Sequence, residues 1–138
     1  MRFEELQVGM SAERTRVVDD ALVRRYADLT DDHNPVHVDE AAAAKSMFGA
    51  RVAHGMLSGG FISAVIGMDL PGRGAIWLKQ EMRFTRPVMI GDTITTRVEV
   101  LEVMPAKRRA RLRTTCRNQR GETTLDGEAL VQVMEDSG

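Results

Sequence analysis

Apolar positions along the chain change their period from segment to segment, and each change predicts an element. Phe3, Leu6, Val8, Val17 and Val18 around Gly9 predict a short turn and then a strand near residues 11–18. Asp19 has the chemistry of an N-cap, and Leu22, Val23, Tyr26 and Leu29 recur at helical spacing after it, which predicts an amphipathic helix over residues 19–29. Pro35 pushes Asn34 toward an extended conformation and stops a helix from running through the acidic stretch, so residues 31–38 are expected to be irregular. Asp39 then caps a second short helix through the alanines to Lys45.

From Gly55 to Met68 the pattern is apolar almost all round, with Gly59, Gly60, Ser63 and Ala64 between Leu57, Phe61, Ile62, Val65 and Ile66. A helix apolar on every side is a buried one. Each interior glycine costs a helix about 1 kcal/mol relative to alanine, so close packing against a sheet has to offset the loss. After the break at Pro71-Gly72 and Gly74 the period drops to two, in four segments near residues 76–84, 94–100, 109–117 and 125–133. One strand, a helical insertion, a long buried helix and four more strands make an α+β chain, best satisfied by an antiparallel sheet curled around the helix.

Composition narrows this picture to one domain. A chain of 138 residues holds one core, and 43% apolar with 28% charged residues is ordinary for a globular protein. The formal net charge of -1 gives no reason to expect nucleic acid or an anionic membrane as partner. The start Met1-Arg2-Phe3-Glu4-Glu5 does not read as an export signal, and the longest apolar run falls short of the roughly 20 residues of a membrane span. The single cysteine, Cys116, falls in a strand and suits a reducing, cytoplasmic compartment. Arg109, Arg111, Arg113 and Arg117 share one strand face. If Gln119-Arg120 is a two-residue hairpin loop, Arg113, Arg111 and Arg117 meet Asp126, Glu128 and Glu122, and the stripe is a neutralised charge ladder.

Reactive residue types concentrate in two places. Asp31 to Asp39 carries three carboxylates and two of the three histidines around Pro35, and His54-Gly55-Met56-Leu57 carries the third histidine into the central helix. His33 and His37 stand four apart, a spacing that puts metal ligands on one face only in a helix, so no metal is expected. His54 reads as a histidine hydrogen-bonded at a helix start, Asn34 as loop support through side-chain to backbone bonds, and Asp31 as a solvated charge.

Asp32-His33-Asn34-Pro35-Val36-His37 followed by His54-Gly55-Met56 closely resembles the motif of the MaoC-like family, in particular its (R)-specific enoyl-CoA hydratases. The likeness extends to Pro71-Gly72 and to the turn from Pro87 to Asp92. It implies the hot-dog fold and reversible hydration of trans-2-enoyl-CoA to (R)-3-hydroxyacyl-CoA, with no cofactor. Asp32 and His37 are implied as the catalytic pair, Gly55 as the oxyanion contact, and Ser63 as a positioning group near the pair. Ile62 and Ile66 are expected to line the acyl tunnel, while Lys79, Arg83, Arg86 and Arg51 read equally as contacts for the phosphates of coenzyme A or an acyl carrier protein and as plain surface charges. An exposed sheet edge predicts a homodimer. Three alternatives stay open: a dehydratase acting on carrier-bound substrates, a hot-dog thioesterase, and a non-catalytic acyl-binding partner subunit.

Overall fold

The computed structural model describes residues 1–134, and in it the strand and helix segments fall where the periodicity put them. Strand β1 (Ser11–Val17) leads into α1 (Asp20–Thr30), α2 (Pro35–Val38), α3 (Glu40–Ala44) and the long α4 (Gly55–Met68). Strands β2 (Ala75–Phe84), β3 (Thr93–Met104), β4 (Arg109–Arg117) and β5 (Thr123–Val133) follow. All pairings are antiparallel, in the order β1-β3-β4-β5-β2, and α4 packs against the sheet. This is the expected α+β hot-dog arrangement.

Local chemistry accounts for the boundaries. The Asp19 carboxylate accepts from the Leu22 N–H at 2.8 Å to start α1, and Asp39 accepts from Ala42 N–H at 3.1 Å to start α3. Alternate residues of the inner strands turn inward, so Ile94, Val98, Val100, Ala110, Leu112, Cys116, Leu125 and Val131 close over Leu57, Ile62, Val65 and Ile66 of α4.

Four expectations need correction. Pro35 does not keep α2 from forming; it opens it at the first helical position, where a missing N–H costs nothing, and His37 rides on that single turn. Helix α4 is covered on one side only. Met56, Gly60, Ser63, Gly67 and Met68 form an exposed stripe, and a Cβ at Gly60 or Gly67 would meet nothing. Among the glycines between its ends, Gly59 is the one that admits a strand side chain, with Met82 Sδ 3.6 Å from where a Cβ would stand. Leu29, assigned to the apolar face of α1, is instead 82% exposed at its last turn.

The fourth correction is the β4–β5 register. The connection is longer than two residues: Asn118 Oδ1 accepts from the N–H groups of Arg120 and Glu122, and Gly121 takes a positive φ. Arg113 therefore stands opposite Glu128 and Thr115 opposite Asp126, two residues away from the expected pairing. A slip of two leaves every side chain on its face. Long arginines then reach the same carboxylates diagonally: Arg111 to Glu128 at 3.0 Å and Arg113 to Asp126 at 3.5 Å, while Glu122 pairs with Arg120 and Arg86 instead of Arg117.

Candidate active site

Three short connections bring the two reactive stretches together. Helix α1 ends at Asp31, whose left-handed φ of 62° turns the chain, and Asp32 N–H closes the end by donating to Ala27 O at 3.1 Å. Asn34 Oδ1 accepts from Val36 N–H at 3.3 Å, starting α2. The segment before α4 then runs beside α2, with Val52 N–H donating to Val36 O at 3.1 Å.

His37 is fixed by that neighbour. Its Nδ1 lies 2.7 Å from the main-chain oxygen of Val52, and because a carbonyl only accepts, Nδ1 carries the proton. Nε2 is left as the nitrogen able to exchange one. His54 is held the other way round: its Nε2–H donates to the main-chain oxygen of Asp32 at 2.9 Å. The two rings stack with centroids 3.9 Å apart and planes 29° from parallel, and Tyr26 tilts against His54 at 4.6 Å.

A carboxylate oxygen of Asp32 and one ring nitrogen of each histidine lie within 4.8 Å of one another. The arrangement suits proton exchange better than metal binding. Imidazole lone pairs lie in the ring plane, and stacked rings direct them side by side, whereas a shared ion about 2.1 Å from each nitrogen needs them to converge. Asp32 is exposed, His37 half-buried and His54 buried.

His37 and Gly55 share the wall of a cleft of about 420 Å³ bounded also by Ser58, Phe48, Phe84, Arg86 and Val88. No side chain caps α4, so its first N–H groups have no side-chain acceptor, and Gly55 and Ser58 of that first turn line the cleft. A Cβ on Gly55 would come within 3.0 Å of the Phe84 ring, so glycine keeps this corner open. A larger cleft of about 610 Å³ lies among Glu81, Arg83, Arg111, Arg113, Asp126 and Glu128, where the charges pair with one another and no such group of reactive atoms is present.

The expected positions divide accordingly. Asp32 lies within reach of His37, His37 shares the cleft with Gly55, and Asn34 supports α2. Ser63 does not join them; it is exposed on the uncovered stripe of α4. Ile62 and Ile66 do not line the cleft either. They are 0% and 2% exposed, because the sheet closes over α4 beyond its first turn. Arg51 is no free cation: only 5% exposed, it donates from Nε to His37 O at 2.7 Å and reaches Asp20 at 2.6 Å and Glu40 at 3.4 Å. Its hydrogen bond holds the Asp20 carboxyl below the usual carboxylate range. Lys79 pairs with Glu81, and Arg86 with Glu122 at the cleft rim. Cys116 is fully buried, and burial pushes its thiol up, away from the reactive thiolate.

His54 is hydrogen-bonded at the start of α4, as its position predicts, but its partners and the place of Ser58 at the cleft have no signal in the sequence. The stack on His37 joins residues far apart in the chain and leaves no periodic signal, and a serine within an apolar helix carries none either.

Burial also pushes the His54 imidazole below its ordinary 6.5, with Asp32, His33, His37 and Tyr26 facing it. The unfolded chain therefore takes up this proton first as pH falls through 6.5, and stability is lost from there toward the lower folded value. The melting temperature is expected to fall between about pH 7.5 and about pH 5.5, and to fall less in His54→Gln, as differential scanning calorimetry would read. Equal slopes in both proteins would refute this.

Residues 3–122 match the family described as MaoC like domain. The chain is similar to a 3-hydroxybutyryl-CoA dehydratase of Methylorubrum extorquens, 46% identical over 131 residues, covering 95% of this chain and 83% of that protein. It is 44% identical to an (R)-specific enoyl-CoA hydratase of Rhodospirillum rubrum over 95% of this chain and 90% of that one. Among solved structures, the unliganded R-hydratase PhaJ1 of Pseudomonas aeruginosa superimposes with a TM-score of 0.92 at 46% identity, covering 98% of this chain and 86% of that one.

Proposed function

Because the chain belongs to the MaoC like domain family, we propose that it adds water reversibly to trans-2-enoyl-CoA, giving (R)-3-hydroxyacyl-CoA. One observation carries the reading: a carboxylate lies within 4.8 Å of an imidazole, and that imidazole shares a cleft wall with Gly55 at the uncapped start of α4.

Hydration moves a hydroxyl to the β-carbon and a proton to the α-carbon, while negative charge gathers on the thioester oxygen between the two events. Asp32 and His37 jointly hold the attacking water, take one of its protons and deliver a proton to the α-carbon. The Val52 carbonyl keeps Nδ1 of His37 protonated, so Nε2 is the atom that exchanges. No covalent intermediate is needed, since water is the nucleophile. The oxygen charge is met by the Gly55 N–H at the end of α4 that carries roughly +0.5 charge. The acyl chain lies along Phe84, Val88 and Ser58. Loss of enoyl absorbance when purified protein meets crotonyl-CoA tests this reading. Release of free thiol without that loss would replace it with a thioesterase, and inactivity in both assays with a non-catalytic acyl-binding subunit.

The protein works as a homodimer. Strand β2 is an edge with Ile76, Trp77 and Leu78 all at least 37% exposed, beside the uncovered stripe of α4. A second copy of this chain pairing there would cover both, and light scattering at micromolar concentration is expected to give twice the chain mass; the chain mass alone would refute it. No helix among the described residues is long and apolar enough to cross a membrane. The reduced, buried Cys116 suits a cytoplasmic enzyme.

A further inference from the structure

His54 is the one reactive side chain in the site that the hydration steps leave unused. It occupies the N-cap position of α4 yet caps nothing, although serine or aspartate there would satisfy the helix start. Its ring instead reaches back 22 residues to donate from Nε2 to the Asp32 carbonyl, at 2.9 Å. One face lies on the His37 ring, Tyr26 leans on it as well, and only 3% of the residue is exposed.

The consequence is geometric. Asp32 follows the left-handed turn at Asp31, and His37 sits on a helix of one turn, so neither reacting group is anchored in a long element. Through its ring His54 touches both. We propose that His54 is a positioning residue whose Nε2–H pins the main chain of Asp32, and that this bond, more than the ring face laid on His37, keeps carboxylate and imidazole at the separation the proton transfers need.

This role rests on the hydratase reading, and two substitutions separate its parts. His54→Phe keeps an aromatic face and loses the donor; His54→Gln places an amide N–H near the position of Nε2 and loses the ring. His54→Phe is expected to lower kcat for crotonyl-CoA about 30-fold with KM within about threefold, since a small misplacement of reacting groups acts on the chemical step. His54→Gln should recover kcat to within about fivefold of the unaltered protein. Imidazole ¹⁵N spectra of the unaltered protein at neutral pH should show His54 as the Nε2–H tautomer, which requires no substrate.

A kcat within about threefold of the unaltered protein in His54→Phe, equal impairment of both variants, or an Nδ1–H tautomer would each overturn the proposal. Should either variant lose its circular dichroism, the tautomer decides. Should the unaltered protein hydrate no enoyl thioester, the hydratase reading falls by itself, and the same spectrum still reports whether His54 holds Asp32.

Discussion

Asp32→Asn is expected to lower kcat for crotonyl-CoA hydration about 10³-fold, and His37→Ala by a similar factor, because each removes one of two coupled proton transfers. Far-ultraviolet circular dichroism should not change. Asp32 is exposed, and its carboxylate accepts one hydrogen bond in the fold, at 3.3 Å from Asn34 N–H, so the isosteric amide leaves packing intact. His37 is half-buried, and losing its bond to Val52 O costs about 1 kcal/mol, a small share of a domain's stability. The double variant should be little slower than the worse single one, since groups that act as a unit lose their whole effect with either member. Activity unchanged in both single variants would overturn the assignment.

The largest loss of stability is expected from Gly127→Ala. Gly127 sits in the middle of β5 opposite Met82 of β2 and Thr114 of β4, and a Cβ there would overlap the main-chain oxygen of Glu81. The obstacle is main chain rather than the end of a flexible side chain. Gln80 closes the remaining space, donating from Nε2 to Glu81 O at 2.8 Å and to Thr114 Oγ1 at 2.9 Å. One methyl group would have to push β2 off β5, at a cost of about 3 kcal/mol or more against a total of about 5–15 kcal/mol. Denaturant titration should show the midpoint falling far below that of the unaltered chain. Equal midpoints for Gly127→Ala and the unaltered protein would refute the packing argument.

Why some of this could be read from sequence and some could not follows from the range of the signals. Helix α1 and its Asp19 cap, α3 and its Asp39 cap, and the alternation in β3 and β4 are set by neighbours a few residues away. Sheet order is not, and neither is the fact that β2 lies at an edge; the alternation Ile76, Leu78, Met82 and Phe84 reads the same for an edge strand as for an inner one. Helix α4 shows the same limit. Its composition predicts burial on all sides, but one sheet covers one side, and the sequence pattern does not distinguish cover within the chain from cover by another surface. The hairpin register failed at Asn118, whose side chain stabilises a longer turn than the two-residue loop assumed.

The site was legible to the extent that its groups lie within one stretch. Asp32, Asn34 and His37 fall within six consecutive positions, and Gly55 is marked by the start of α4. Arg51, His54 and Ser58 gain their places through contacts across the fold, to His37 O, to Asp32 O and to the cleft. Nothing in local spacing distinguishes a buried arginine that holds a carbonyl from a surface one available to phosphate.

The turn at residues 46–50 closes on itself: Ser46 Oγ–H donates to Ala43 O at 2.6 Å, and Gly49 N–H returns to Ser46 O at 3.1 Å. Met47 at its tip is 92% exposed, while Phe48 beside it forms part of the cleft rim. By contrast, His37 is tied to the main-chain oxygen of Val52, Asp32 N–H to that of Ala27, and the Asp32 carbonyl to His54. Entrance and hearth are thus separate pieces of carpentry. Of that turn only Phe48 touches the cleft, so a change of its side chain alters the space for the acyl group without touching the bonds that seat Asp32 and His37.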